Sequence, residues 1–361
     1  MKLERFCCKT AVVAGFGAVS ALKELNARRL FVVTDPFFYE NGTAQAMLGK
    51  LAPEVSYFYQ VKPDPTTELA ALGTAALSEF QPDVVAALGG GSAMDCAKAM
   101  VYFSGTDARL VAIPTTSGSG SEVTDFAILT HQGVKHPLVD EKLRPSLAIL
   151  EGELLKNLPK SLIADGGFDV LSHAVEAIAG KNAGAVSDAL ATAAFDMAFN
   201  HLSQSYNGNR QVRLRVHKAA TMAGMAFSQA GLGLCHALSH SLGGAFHVPH
   251  GRLNAVLLPT VVAFNTEAAG ERYAALARAA GLGGSATAVG VRNLKNGLVR
   301  LRRELELPAT LAQAGISPRG LAEKMDAIID AALADPCCAT NPRPCDRSGV
   351  RWVLEQVMGH G

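Results

Sequence analysis

One short apolar segment that runs directly into a glycine-rich loop constrains the fold of this chain more than any other feature. Residues 83–88 (DVVAAL) have the composition of a buried strand, and the tetrapeptide at 89–92 (GGGS) follows at once. Similar runs at 29–35, 55–61 and 110–113 alternate with helical patterns. Strands that alternate with helices predict a mostly parallel sheet with helices on both faces. Ligands of such sheets bind at the carboxyl ends of the strands, where this loop lies.

The second half of the chain has a different pattern. From about Pro159, Ala-rich helical segments such as 184–201 and 212–230 dominate, and β-branched runs become scarce. We therefore predict a boundary near Leu158, with an α/β domain over residues 1–158 and an all-helical domain over 159–361. A length of 361 residues agrees with two domains at roughly 150 residues each.

Charge and hydropathy exclude two classes of partner. The chain carries 33 Lys and Arg against 32 Asp and Glu, so no basic excess is available to neutralise a nucleic-acid backbone. No apolar run is long enough to predict a transmembrane helix. The stretch 10–22 after Lys2 and Arg5 is superficially similar to a secretory signal, but Gly15 and Gly17 interrupt it and favour a strand, a turn and a helix start.

The cysteines indicate a reducing compartment. Seven is an odd number, and the spacings show no disulfide framework, so we expect reduced thiols and a cytoplasmic location. The adjacent pairs Cys7-Cys8 and Cys337-Cys338 lack CxxC spacing, so neither pair is expected to be a zinc knuckle or a redox dithiol.

The glycine loop has the features of an anion site. Glycines let the backbone approach a ligand closely, and the N–H groups at the start of a helix suit a pyrophosphate. The pattern is not GxGxxG, so the loop is a phosphate loop of another type. The alternative is a tight strand-to-helix turn with no ligand.

A second loop and an acidic strand end add candidate cofactor contacts. Residues 114–124 (PTTSGSGSEVT) contain six hydroxyls beside a strand end, which can hydrogen-bond ribose, phosphate or a nicotinamide amide. The alternative is a solvated Ser/Gly linker. Asp35, at the end of the strand at 29–35, would bind a ribose 2′-hydroxyl and repel a 2′-phosphate, which favours NAD over NADP. An acid in that place is also a common helix cap.

Histidines and one aspartate predict a metal site in the helical half. Asp169 and His173 are four residues apart, which places both on one face of a helix, where they can share a cation. Five of the ten histidines lie in two segments: His173 in the first, and His236, His240, His247 and His250 in the second. Asp and His ligands without thiolates suit Fe(II), Zn(II), Mn(II) or Co(II), any of which would polarise a substrate oxygen. A single histidine would more often be a core or surface residue.

These motifs, in this order, resemble the iron-dependent (group III) alcohol dehydrogenases. The matching segments are 89–98 (GGGSAMDCAK), 114–124, 168–177 (FDVLSHAVEA), 236–259 and 340–344 (TNPRP). Residues 92–95 and 222–233 are most similar to the branch of the family that serves propanediol and ethanolamine utilisation. The resemblance implies a Rossmann-like NAD-binding domain and a helical domain in a dehydroquinate-synthase-like architecture, with NAD and metal meeting in a cleft.

The resemblance also assigns residues. The metal ligands would be Asp169, His173, His236 and His250, with His240 as a proton relay near the nicotinamide. Cofactor contacts would come from Asp35, Asp64, Gly90, Gly91, Ser92, Thr115, Thr116, Thr124 and Lys135. This chain departs from the family at 165–168, where a Thr-Gly pair usually precedes the metal aspartate. Asp165 would then either change the charge near the metal or cap the helix.

We therefore expect an NAD(H)- and metal-dependent alcohol dehydrogenase. It would interconvert short aldehydes, such as propionaldehyde and acetaldehyde, with primary alcohols, using Fe(II) in preference to Zn(II). The alternatives are a zinc-dependent glycerol or polyol dehydrogenase, a lyase similar to dehydroquinate synthase, and a structural cargo protein of a bacterial microcompartment. The family implies a homodimer formed through edge strands near the N-terminus. Microcompartment shell or cargo proteins are further expected partners.

Overall fold

The computed structural model describes residue 4 and residues 6–359, which form two compact units. The first unit spans Cys7–Leu158, and the second contains the described residues from Pro159 onward together with Glu4 and Phe6. The sequence predicted a first domain over residues 1–158, which would include Glu4. Its carboxylate instead accepts a hydrogen bond from the backbone N–H of Ala185, at 3.0 Å, which ties it to a helix of the second unit.

The first unit contains eight strands and four α-helices among its described residues. The strands are β1 Ala11–Gly15, β2 Arg29–Thr34, β3 Glu54–Phe58, β4 Val84–Gly89, β5 Arg109–Pro114, β6 Phe126–His131, β7 Val134–Val139 and β8 Leu147–Glu151. The helices are α1 Pro36–Glu40, α2 Thr43–Leu48, α3 Thr67–Phe80 and α4 Gly91–Ser104. Short 3-10 helices cover Ala18–Leu25, Ser121–Val123, Glu141–Leu143 and Gly152–Leu155.

Six of these strands form one parallel sheet in the order β1-β8-β5-β4-β2-β3, which confirms the predicted α/β class. In the centre, Val84 of β4 is paired with Leu30 of β2 and with Arg109 of β5. Every residue of β4 is buried, because helices cover both faces and the strand can be apolar throughout. Strands β6 and β7 form a separate antiparallel hairpin. The carboxyl end of β4 leads directly into α4, so the glycine loop lies at the carboxyl end of a central strand.

The second unit is mostly helical, as the sequence predicted, and its described residues contain helices and loops but no strand. Its helices are α5 Lys160–Ala179, α6 Ala185–Tyr206, α7 Arg210–Ala230, α8 Leu234–Phe246, α9 His250–Phe264, α10 Thr266–Ala279, α11 Thr287–Glu304, α12 Pro318–Ala334, α13 Pro336–Thr340 and α14 Arg347–Met358. Helix α5 is buried along most of its length and packs against α6, α7 and α9. Within the described part of the chain, none of the helices is both long and apolar enough to cross a bilayer.

Candidate functional site

Four side chains of the second unit converge on one point. The Oδ1 atom of Asp169 lies 3.7 Å from Nε2 of His173, 3.6 Å from Nε2 of His236 and 3.4 Å from Nε2 of His250. Asp169, His173 and His236 are buried, and their donor atoms form a group compact enough to hold one metal ion. The structure therefore brings together the four residues that were predicted as metal ligands, and each imidazole presents the same nitrogen to the carboxylate.

Three helices position these four side chains. Asp169 and His173 lie one turn apart on α5, so both project from the same face. His236 is in the first turn of α8, and His250 is the first residue of α9. Between these helices, His247 adopts a left-handed conformation (φ 57°) that ends α8, and its side chain is exposed. Residue spacing alone did not separate His247 from His250, whereas the family resemblance named His250 as the ligand, and the turn directs His250 to Asp169.

Glu176 orients His236, a role that sequence reasoning did not assign. Its Oε2 accepts a hydrogen bond from Nδ1 of His236 at 2.6 Å, so Nδ1 keeps its proton and Nε2 is the nitrogen that faces Asp169. The same carboxylate accepts the backbone N–H groups of Gly233 and Cys235 at 2.9 and 2.7 Å, which ties the start of α8 to α5. The available signal was spacing, because Glu176 follows His173 by three residues and shares its helix face.

Asn254 is a second residue that the sequence reasoning missed. Its fully buried amide Nδ2 donates to Oδ1 of Asp169 at 2.8 Å, and its Oδ1 accepts a hydrogen bond from Ser239. Asn254 lies one turn after His250 on α9, so an i,i+4 search from the last ligand would have found it. Its amide thus donates to the same oxygen that the three imidazoles face, which orients the Asp169 carboxylate.

The electrostatics of the cluster follow from burial and proximity. Burial alone would raise the pKa of Asp169, but the imidazoles of His173, His250 and His236 hold that pKa below its ordinary range. Burial lowers the pKa of His236, yet its hydrogen bonds to Asp169 and Glu176 outweigh this effect and raise the pKa to about 9. Burial also lowers the pKa of His250 well below its ordinary value, although 35% of the side chain is exposed. An ionised aspartate beside a neutral His250 is a pair of good metal ligands.

Asp165, the departure from the family pattern, has its charge balanced by Arg252. The guanidinium donates from Nε to Oδ1 at 3.2 Å and from a terminal nitrogen to Oδ2 at 3.0 Å, a bidentate pair that joins α5 to α9. Asp165 lies within α5 and does not cap it, because the cap position is Pro159. The helices are close there, since a Cβ added to Gly251 would lie 1.9 Å from the carbonyl oxygen of Asp165.

His240, the predicted proton relay, is held by Asp335. Its Nδ1 lies 2.8 Å from Oδ2 of Asp335, and the backbone N–H of Cys337 donates to the other carboxylate oxygen at 2.8 Å. Burial would raise the pKa of Asp335, but the hydrogen bond and charge of His240 lower it to about 2. The ring of His240 stacks on His250, with centroids 5.1 Å apart. Asp335 thus fixes the imidazole through Nδ1 and makes Nε2 the nitrogen that can exchange a proton with a ligand.

In the first unit, the two predicted loops pack against each other. Gly90 precedes α4 and Gly91 is its first residue. A Cβ on Gly90 would lie 3.3 Å from Oγ1 of Thr116, and one on Gly91 would lie 3.3 Å from Oγ of Ser119. Side chains larger than hydrogen would therefore crowd the second loop. The structure brings Gly90, Gly91, Ser92 and Thr116 together at the start of α4, where backbone N–H groups point out of the helix.

Thr115 and Thr124 are buried, and Thr124 belongs to a polar network that sequence reasoning did not identify. The Nζ atom of Lys98 donates to Thr124 at 3.0 Å, to Ser121 at 2.8 Å and to the Phe126 carbonyl at 2.8 Å. Burial lowers the pKa of Lys98 to about 8. The hydroxyl of Thr124 therefore already accepts a hydrogen bond from a buried lysine.

The remaining predicted cofactor residues lie in three places: Asp35 directly after β2, Asp64 in the loop between β3 and α3, and Lys135 on β7. Asp35 caps α1 by accepting the N–H of Phe38 at 3.1 Å, which matches the capping alternative. Asp64 has a left-handed backbone (φ 55°), and its carboxylate pairs with Nζ of Lys135 at 2.6 Å on the surface. A pocket of about 520 Å³ is lined by Pro36, Tyr59, Gln60, residues 62–66 and Leu69, so Asp64 is in its wall.

Comparisons with known families agree with this arrangement. A family model described as iron-containing alcohol dehydrogenase matches residues 9–152. A second model, described as the C-terminal part of the Fe-containing alcohol dehydrogenase family, matches residues 163–358. The two matches meet near the division between the two units.

Individual proteins show the same similarity. The chain is 37% identical to 1-propanol dehydrogenase PduQ of Salmonella typhimurium, over 99% of this chain and 100% of the relative. It is 34% identical to NADPH-dependent butanol dehydrogenase of Clostridium saccharobutylicum, over 98% of this chain and 97% of the relative. Among solved structures, 1,3-propanediol oxidoreductase superposes with a TM-score of 0.93 at 30% identity, over 99% of this chain and 100% of the other.

Proposed function

Because this chain belongs to the iron-containing alcohol dehydrogenase family, we propose that it uses NAD(H) and a divalent metal to interconvert short aldehydes with primary alcohols. Propionaldehyde and acetaldehyde are the substrates we favour. The observation that carries the proposal is the convergence of three imidazole nitrogens on one buried carboxylate, contributed by Asp169, His173, His236 and His250.

The donor set fits a catalytic divalent metal. Three imidazoles and one carboxylate are borderline-to-hard ligands, and Fe(II) or Zn(II) accepts them. We propose Fe(II) first, as the family description indicates, and Zn(II) second. When bound, the metal supplies Lewis acidity to the oxygen of the alcohol or aldehyde.

The chain's own residues hold the ligands in their ligating forms. Glu176 keeps the proton of His236 on Nδ1, so Nε2 is available as a ligand. Asn254 fixes the Asp169 carboxylate. The ion pair of Asp165 with Arg252 joins the helices that carry Asp169 and His250, so it sets the spacing of two ligands on different helices.

Hydride transfer is assigned to the nicotinamide of NAD(H). The N–H groups at the start of α4, after Gly90, would bind the pyrophosphate. Asp35 would lie near the adenosine ribose, where a carboxylate disfavours a 2′-phosphate, so we propose NAD over NADP. The butanol dehydrogenase relative is named as NADPH-dependent. Measuring whether this chain uses NADH or NADPH therefore tests the role that we propose for Asp35. His240, held by Asp335, would exchange the hydroxyl proton through Nε2.

The assembly proposal rests on the edge strand β1. This strand forms one end of the parallel sheet, and the side chains of Val12 and Val13 are 39% and 37% exposed. An exposed apolar edge is suited to pairing with a second copy, which supports the expected homodimer. Contact with microcompartment shell or cargo proteins is proposed from the resemblance alone.

Anaerobic metal reconstitution tests the function. Metal-stripped protein is given Fe(II) or Zn(II) separately, and NADH oxidation with propionaldehyde is followed, with NADPH and glycerol-type diols as comparisons. Activity with Fe(II) that is lost in His250→Ala supports the proposal. Activity with Zn(II) alone and a preference for diols would favour the polyol dehydrogenase instead. Bound NADH without turnover with either metal would contradict the assigned chemistry.

A further inference from the structure

A second group of potential metal ligands lies outside the cluster around Asp169. One ring nitrogen of His240, one carboxylate oxygen of Asp335 and the Sγ atom of Cys337 lie within 4.8 Å of one another. They are an imidazole, a carboxylate and a thiol, which are the three ligand types that Zn(II) takes in proteins. Three such ligands can bind one metal ion and leave the fourth position of a tetrahedral site to water.

Contacts between helices hold these ligands in place. His240 lies in α8, Asp335 lies between α12 and α13, and Cys337 lies in α13. Oδ2 of Asp335 is 2.8 Å from Nδ1 of His240, and Oδ1 of Asp335 accepts the backbone N–H of Cys337 at 2.8 Å. Helix α12 is also tied to α8, because Lys324 donates to the carbonyl of Ala245 at 3.0 Å. The three ligands therefore meet at one ion without a large movement of the backbone.

This group is accessible to an ion from solution. The side chain of His240 is 37% exposed and that of Asp335 is 15% exposed, and Cys337 is half-buried. In the cluster around Asp169, by contrast, the side chain of His236 is only 1% exposed. An ion can therefore reach the second group while the helical core stays closed.

The thiol decides which metal the second group selects. A thiolate is a soft ligand that favours Zn(II) over harder ions, and a given set of ligands binds Zn(II) more tightly than Fe(II). The four proposed ligands around Asp169 include no thiol. The second group has three ligands instead of four and is more exposed, so it binds metal more weakly. We therefore expect it to fill only when zinc is in excess over the first cluster.

We propose that His240, Asp335 and Cys337 form a second, zinc-selective metal site whose occupancy inhibits the reaction. Zn(II) would bind Nδ1 of His240, because that nitrogen faces Asp335. The proton of Nδ1 then moves to Nε2, and the thiol proton of Cys337 passes to solvent. A ring with metal on Nδ1 and a proton on Nε2 has no lone pair left to accept a proton.

The inhibition rests on the proposed function, since it removes the proton acceptor that we assign to His240. The binding of metal does not depend on that function. The two parts of the proposal therefore need separate measurements.

Cobalt(II) tests the site through its spectrum. Co(II) accepts the same ligands as Zn(II), and Co(II) bound to a thiolate has a near-ultraviolet charge-transfer band that carboxylate and imidazole ligands do not give. The Fe(II)-loaded full-length protein is titrated anaerobically with Co(II), and bound metal is counted by elemental analysis after equilibrium dialysis. We expect the band to grow to a limit as one Co(II) binds per chain, and to disappear when excess Zn(II) is added.

Substitutions assign the band to the site. Cys337→Ser removes the thiolate and should abolish the band. Cys338→Ser removes a neighbouring half-buried thiol of α13 and is the matched control, which should keep the band. His240→Gln keeps the thiol but deletes another ligand, so it should weaken Co(II) binding at this site by at least about tenfold.

The melting temperature shows whether each variant folds. If Cys337→Ser does not fold, His240→Gln decides the question, because its substituted side chain is partly exposed. Wild-type protein without the band, or a band that persists in folded Cys337→Ser, would overturn the site. An unchanged Co(II) affinity in His240→Gln would overturn it as well.

Zinc inhibition tests the consequence for the reaction. NADH oxidation by the Fe(II)-loaded protein is measured at increasing Zn(II), before the Fe(II) content falls, relative to the same protein without zinc. We expect the inhibitory zinc concentration to be at least about tenfold higher for Cys337→Ser than for the wild type. Equal inhibition of both proteins would overturn the inhibitory role. A wild-type protein that forms the Co(II) band but shows no activity would contradict the proposed function and support the second site.

Discussion

Two buried polar clusters in this molecule differ in the partners that their charged and polar atoms have. In the first unit, the ammonium of Lys98 donates to three oxygen acceptors of its own unit, and the nearby Asp95 carboxylate accepts from Ser121 and from the Ile128 N–H. In the second unit, three imidazole Nε2 atoms face the single oxygen Oδ1 of Asp169. The lysine cluster contains a cation together with the oxygen atoms that accept its hydrogen bonds. The second cluster contains imidazole nitrogens and a carboxylate, which all offer lone pairs to a metal. A cluster of donors is completed by a cation from solution, and this difference distinguishes a structural network from a ligand site.

The largest expected effect comes from removing one donor of the second cluster. His236→Ala deletes a buried side chain that we propose as a metal ligand, and we expect metal content to fall to background and aldehyde reduction to fall by at least about a thousandfold. Metal content by elemental analysis and NADH oxidation are the measurements. His201→Ala, a half-buried histidine on α6, is the control and should retain both. Full metal occupancy in His236→Ala would show that the cluster is not the metal site.

The lysine cluster should instead affect stability, and its effect should depend on pH. Lys98 has an ordinary pKa of 10.5, and burial lowers it to about 8 in the folded chain. Between these values the unfolded chain binds a proton that the folded chain releases, so stability rises with pH across this window and is constant below it. A shift of this size corresponds to about 3 kcal/mol.

Denaturant unfolding between pH 7 and pH 10.5 measures this effect. Lys98→Met removes the titrating group, so its stability should not show the rise, while its metal content stays at the wild-type value. An equal rise in the wild type and in Lys98→Met would assign the pH dependence to other groups. A loss of metal in Lys98→Met would contradict the separation of the two clusters.

A smaller effect is expected from the residue that orients a ligand. Glu176→Gln replaces the acceptor of the His236 Nδ1 proton with an amide, and such changes weaken metal affinity by about 10- to 100-fold. Competition with a chelator gives the metal Kd. Glu323→Gln, an exposed glutamate on α12, is the matched control. An unchanged metal Kd together with lower stability would show that Glu176 caps the start of α8 and does not orient a metal ligand.

The sequence predicted features that depend on local periodicity. The alternation of apolar runs and helical patterns predicted the parallel sheet, because a strand buried on both faces must be apolar throughout. The i,i+4 spacing of Asp169 and His173 predicted a shared face, because one helical turn brings such residues together. These inferences required no knowledge of distant contacts.

Sequence reasoning was weaker where a role depends on a partner from another helix. Asp165 was left with two roles, and neither included the bidentate pair with Arg252. Glu176 and Asn254 were not assigned, although both contact a predicted ligand. Thr124 was proposed as a cofactor contact, but its hydroxyl accepts a hydrogen bond from Lys98. In each case the deciding contact joins residues that are far apart in the chain.

The sequence by itself determined the two-domain class, the position of the glycine loop and the set of candidate ligands, since each depends on residue type and short-range spacing. The family resemblance named His250 and not His247, and the tertiary structure supplied the reason, because one left-handed residue redirects the chain so that His250 faces Asp169. Periodicity is encoded locally, whereas the partner of a side chain is set by which helices pack together.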